Sequence, residues 1–162
     1  MTPARQRILD AFRDLVLSQP YADITVSRVI ERAGTARSTH YAHFPDKRSL
    51  LLASMASPLE ALASCATTTA GTDAVIAMLD HAWDNRVLGR TLLDSPDARH
   101  VADALANLIA RKSSREHLHG TLTCHAVAGG YLTVLRRWLA GEIICDSVEL
   151  AAWFTGWRTN GM

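Results

Sequence analysis

The chain has 162 residues, is 48% apolar, and carries 17 Lys/Arg against 16 Asp/Glu, a formal charge of +1. That composition excludes a disordered chain. Three widely spaced cysteines without a CxxC pair (Cys65, Cys124, Cys145) fit a reducing cytoplasm better than a disulfide framework. The charge is uninformative in total but not in distribution. The first 52 residues hold eight Lys/Arg and five acids, the remainder nine and eleven. A basic head on an acidic body points to a polyanionic partner for the head.

In chain order, Pro3 suits a first helical turn, and Ile8, Phe12, Leu15 and Val16 recur at helical spacing. Pro20 closes this first helix near Ser18. Thr25 is the expected N-cap of a second, short helix with Val26, Val29, Ile30 and Ala33 on its inner side. Gly34 is its natural stop, since glycine alone takes the left-handed C′ conformation without steric cost. A third helix, about Ala36 to Phe44, ends at Pro45, and Asp46 is placed to cap a fourth, "KRSLLLASM". Thr72 is the expected cap of "TDAVIAMLDHAWDNRVL". Ser95 is the expected cap of "SPDARHVADALANLIARK", with Pro96 at its first position. A long helix is expected from about Ser114 to Ala140, ending at Gly141, and a last one, "VELAAWFTGW", is capped by Asp146 or Ser147. No stretch reaches the roughly 18 apolar residues of a membrane span. The whole reads as an all-α protein: an N-terminal three-helix head over residues 1–45 and an antiparallel helical body over 46–162.

Thr25 to Phe44 has the length and punctuation of a helix-turn-helix, whose second helix enters the major groove with its early residues at the base edges. Arg37, in the first turn, is suited to a bidentate pair with guanine, and Ser38 and Thr39 are short hydrogen-bonding neighbours. Tyr41 can rest its ring on the fold and offer its hydroxyl to a phosphate. Lys47 begins the fourth helix, where backbone N–H groups and the helix dipole favour an anion.

"ITVSRVIERAGTARSTHYAHFPDKRSLL" resembles the DNA-binding domain of the tetracycline-repressor (TetR) family. Ala33-Gly34, Thr39, Tyr41, His43-Phe44, Lys47 and Leu50 carry the resemblance, which covers about residues 5–52. It implies that Thr25, Ser27 and Arg28 start the second helix near backbone and groove. It places Arg37, Ser38, Thr39 and Ala42 toward the bases, and Tyr41, His43 and Lys47 at phosphates or as holders of the recognition helix. Three departures stand out. Thr35 and Ala36 replace the usual Val-Ser, so the recognition helix lacks its serine cap, a loss of about 0.5–2 kcal/mol unless Thr35 caps one residue early. His40 occupies a usual leucine position, where an imidazole must find a hydrogen bond or face solvent. Ala42 replaces a frequent large aromatic.

In the body, "HAVAGGYLTVLRRWLAG" sets Leu122, Ala126 and Gly130 on one stripe, with Gly129 beside it. Mid-helix glycine costs about 1 kcal/mol relative to alanine, so close approach of another helix is the expected compensation. The resemblance implies a symmetric four-helix dimer interface made by the last two long helices, with Trp138, Trp153, Phe154 and Trp157 as anchors; the same residues also suit the core of one chain. It further implies a small-molecule effector in the body. Met55, Met78, Trp83, Cys124, His125 and Tyr131 are candidate lining residues, and the short chain suggests a small cavity or none.

A rival class is a helical ligand- or metal-binding protein, or an enzyme, centred on His81 and Asp84 or on the segment His117–His125. The spacing argues against one metal site. On a helix His117 and His119 point about 200° apart, and His117 and His125 lie about 12 Å apart. No catalytic motif or cofactor loop stands out. The sequence therefore favours a cytoplasmic, dimeric, sequence-specific DNA-binding regulator over an enzyme. It is expected to be a repressor of a pseudo-palindromic operator, relieved by a small molecule, with no cofactor and no metal.

Overall fold

Thr2 opens the first helix by accepting the Arg5 N–H, and in the computed structural model, which describes residues 2–67, 71–113 and 118–160, helix follows helix from there. Side chains are described except at 118–119 and 157–160. α1 spans Pro3–Ser18 and buries Ile8, Leu9, Ala11, Phe12 and Val16, the face its apolar spacing marks out. A 3₁₀ turn, Tyr21–Asp23, leads to α2, Val26–Ala33. Thr25 caps it as expected, its hydroxyl accepting the Arg28 N–H at 3.3 Å. Gly34 follows at φ +59°, so the chain turns sharply into α3, Arg37–His43.

α4, Lys47–Ser54, starts one residue after Asp46, which accepts the Ser49 N–H at 2.7 Å while Ser49 Oγ answers the Asp46 N–H. α5 covers Ala56–Thr67 and α6 Thr72–Asp84. The expected single helix through "DNRVL" breaks at Asn85, whose side-chain amide donates to the His81 carbonyl at 2.9 Å. α7, Arg86–Leu93, restarts on a new axis. α8 runs Ala98–Lys112, α9 Leu118–Leu139 and α10 Ser147–Asn160. Gly141 at φ +76° ends the α9 excursion, and Asp146 with Glu149 forms a reciprocal cap on α10.

Three expected caps are not made. Thr72 is the first residue of α6, whose N-cap is Gly71. Ser95 Oγ is buried without a hydrogen bond, two residues ahead of the Asp97 N-cap of α8. Thr35 Oγ1 is likewise buried and unpartnered, so α3 has Ala36 as its N-cap and no side-chain cap.

Every regular element among the described residues is helical, and one apolar core runs from head to body: Phe12, Leu50, Leu62, Leu79, Leu105, Leu135 and Phe154 are all shut off from solvent. α4 packs on both α1 and α8, so the head is not on a free linker. α9 lies along α7 and α8, and α10 closes over α5 and α6. Among the described residues no single helix is long and apolar enough to cross a bilayer; α4 and α5 together would be, but they meet at 57° and bury Leu50, Leu51, Leu59 and Leu62 inside the protein.

Candidate functional site

α3 presents its polar side outward because its inner side is short and fully committed. His40 is completely buried, with Phe44 just past the helix end at 2% exposure. The His40 ring meets Tyr41 edge-on at 5.3 Å and Phe44 at 6.2 Å. Both of its ring nitrogens lack a hydrogen-bond partner. Burial therefore lowers its pKa below 6.5, and the imidazole fills the leucine position as a neutral, unsatisfied ring.

Arg37, Ser38, Tyr41 and Ala42 are exposed, and Thr39 is half-buried. Arg37 Nη2 donates to Ser27 Oγ at a long 3.4 Å, which sets the guanidinium across the turn from the start of α2. Arg28, on the exposed side of α2, donates to Gln19 Oε1 at 2.5 Å, and the exposed Thr25 carries the cap. His43 Nε2 stands 3.4 Å from Thr2 Oγ1, tying the end of α3 to the start of α1. All ten sequence-derived positions of the head thus fall on α2, α3, their caps and the start of α4.

Lys47 differs from its expectation in orientation. It is half-buried, its ammonium 4.2 Å from the centre of the Tyr21 ring, and it donates to the Tyr21 carbonyl at 3.0 Å. Tyr21 in turn donates its hydroxyl to Asp97 Oδ2 at 2.8 Å. Burial, then the bond to Asp97, raise the Tyr21 pKa well above 10, so the phenol stays a donor. Tyr21 therefore joins the head to the N-cap of α8, a contact that sequence spacing gave no signal for.

The body holds a cleft of about 450 Å³, within the range of small-molecule sites. Met78, Leu88, Leu92, Leu135 and Leu139 supply apolar wall, and Arg13, Ser54, His81 and Asn85 supply polar groups. Of the candidate lining residues, Met55 and Met78 border this cleft, and Trp83, Cys124, His125 and Tyr131 lie outside it. Trp83 lies against Trp138, with ring centres 4.8 Å apart. Cys124 is buried in the core and His125 is exposed. Tyr131 is buried, donating to the Phe154 carbonyl at 2.9 Å.

The same inward packing takes into the core two of the four aromatic residues read as dimer anchors or single-chain core. Trp138 and Phe154 are core residues of the single chain, with Trp138 Nε1 donating to the Cys145 carbonyl. Trp153 is 38% exposed and Leu122 60%, while Ala126 is exposed and Gly129 and Gly130 half-buried. A side chain placed at Gly129 would meet nothing within 4 Å. The Trp157 side chain lies outside the described residues, as does His117. Of the rival centre, His81 and Asp84 are exposed, with Asn85 beside His81. Among the described residues no three His, Cys, Asp or Glu side chains converge as metal ligands would.

With this geometry in place, comparison with known proteins converges. Residues 8–54 match the model of the bacterial regulatory proteins of the tetR family. The chain is 30% identical over 139 residues to the HTH-type transcriptional regulator SrpR of Pseudomonas putida, across 80% of this chain and 64% of that protein. It thus spans less than two-thirds of that relative's length. Its fold is similar to those of the dihydroxyacetone kinase operon activator DhaS (TM-score 0.60, 16% identity, 98% and 95% of the two chains) and of a TetR transcriptional regulator from Rhodococcus sp. RHA1 (0.59, 17%, 98% and 97%).

Proposed function

We propose, from the premise that the chain belongs to the tetR family of bacterial regulatory proteins, that it is a homodimeric transcriptional regulator that binds a pseudo-palindromic operator and is released by a small molecule. The observation that carries the reading is the polar exposed side of α3, held at a fixed angle to α2 by the left-handed Gly34. Arg37 and Ser38 stand at its start, where side chains reach base edges when such a helix enters the major groove. Arg37 pairs with guanine; Thr25, Ser27, Arg28 and Tyr41 engage backbone; His43 holds the helix. Lys47 spends one donor on Tyr21 and turns its others to a phosphate.

The stripe of exposed Leu122 and Ala126 and half-buried Gly130 on α9, with Gly129 beside it and Trp153 on α10, is the proposed twofold interface. Gly129 lets the partner helix approach without meeting anything of its own chain. Two heads then sit in successive major grooves about 10 base pairs apart. The cleft lies between α1 of the head and α6, α7 and α9 of the body, so a ligand preferring one arrangement of these helices shifts the spacing of the heads. The reading is that of a repressor in the cytoplasm rather than an enzyme.

Selection of random duplex DNA on the purified protein tests it. An enriched palindrome with half-sites one helical turn apart, bound with steep salt dependence, is expected. A population that stays random at low salt overturns the regulator reading.

A further inference from the structure

The cleft in the body is chemically one-sided. The inference drawn from it rests on the reading above that a small molecule enters there. Its polar lining groups are Arg13, Ser54, Ser57, His81 and Asn85, and no lining residue carries a carboxylate. Ser54 Oγ is out of contact with solvent and makes no hydrogen bond. Rotation about its Cα–Cβ bond would bring that hydroxyl from its closed position toward a partner in the cleft, which the chain itself does not supply. Arg13 Nη1 faces Asp10 at 3.5 Å within α1, in a pair with side chains 39% and 55% exposed. Such a solvated pair is weak, and the guanidinium fork has further donors to give. The lining from α6, α7 and α9 is otherwise mostly leucine, methionine and alanine. A cation would find Arg13 and no acid among the lining residues. An uncharged apolar molecule would leave both Arg13 and Ser54 unused.

We propose that this cleft takes a hydrophobic carboxylic acid, its apolar body against Met78, Leu88, Leu135 and Leu139 and its carboxylate on Arg13 and Ser54. Apolar walls strengthen the charge-assisted bonds at the polar end. Arg13 belongs to α1, which packs on both α2 and α3. The carboxylate therefore grips the head directly, while the apolar tail is held by the body.

The test is calorimetric titration of the full chain with two series below their micelle concentrations at pH 8: decanoate, decan-1-ol and decylamine, then 2-naphthoate and 2-naphthol. At least one acid is expected to bind tenfold or more tighter than its uncharged or cationic counterpart. Arg13→Gln removes that preference and leaves alcohol binding unchanged; Arg13→Lys keeps most of it. Ala77→Trp, at an exposed rim position of the cleft, abolishes binding of the whole series. Alcohols or the amine binding as well as the acids, or acid binding indifferent to Arg13→Gln, overturns the carboxylate assignment while leaving a ligand cleft standing. Binding that survives Ala77→Trp overturns the location. If no probe binds, the proposal fails together with the effector reading of the cleft.

Discussion

The head and the body use their side chains in opposite ways. In the head, the proposed function rests on what protrudes: Arg37, Ser38, Tyr41 and Ala42 stand out from a seven-residue helix seated by buried His40 and by Phe44 just past its end. In the body, it rests on what the helices leave open, a cleft between elements and the outer face of α9 around Gly129. A protruding site is specified by local residue identity and spacing. A space between helices is specified by packing across the whole chain, and no short motif writes it down.

The sharpest way to break this contrast is Arg37→Ala. A bidentate contact is worth about 1–3 kcal/mol per base pair read, and it is made twice in a dimer. Affinity for the selected operator is expected to fall about a hundredfold or more in fluorescence anisotropy, with random duplex affected far less. An unchanged ratio would move the reading surface elsewhere.

Gly129→Leu probes the body instead. Since its added side chain meets nothing within 4 Å of its own chain, the fold is expected to melt near the wild-type temperature. The protein should nonetheless elute as a monomer in sizing chromatography and lose operator binding. A dimer that persists would place the interface on another face.

His40→Leu tests whether the inner side of α3 is merely packing. Removing a buried, unpartnered imidazole is expected to stabilise the fold by about 1–3 kcal/mol, several degrees in a thermal melt. The effect carries a pH signature. The unfolded imidazole takes a proton as pH falls below about 6.5, while the buried one resists. The unfolded state then binds more protons, so wild-type stability drops as pH falls through 6.5 and below. The gap between wild type and His40→Leu should widen toward pH 5; a constant gap would mean that His40 finds a partner in solution.

The smallest effect belongs to Lys47→Ala. It should weaken specific and random duplex about equally, by a few-fold at moderate salt, and lower the salt slope by about one unit per subunit. A selective loss on the operator would make Lys47 a base reader.

Much of the head was legible from residues alone. Thr25 and Asp46 cap their helices, Gly34 takes the left-handed turn, and the α3 boundaries fall where Pro45 and the glycine put them. Each of these depends on neighbours within four residues. What escaped was long-range. Tyr131 reads as a candidate ligand wall and Phe154 as a dimer anchor or core residue, and their burial and mutual bond across 23 positions place both in the core. The break at Asn85 escaped because the apolar spacing continues through it. Arg13 escaped because a half-exposed arginine on a first helix looks like any solvated charge until the fold sets it in the lining of one cleft with residues of α6, α7 and α9.

The hydroxyl of Tyr21, donated to Asp97, has a practical corollary for anyone exchanging the head with that of another chain of this fold. Cutting at Pro45 would strand that phenol without its acceptor and separate Leu50 and Leu51 from the α1 face they cover. A graft that keeps its footing must carry α4 along and bring an acid to the start of α8, so the exchangeable cassette is set by Asp97, about 50 positions beyond Lys47, the last residue proposed to meet DNA.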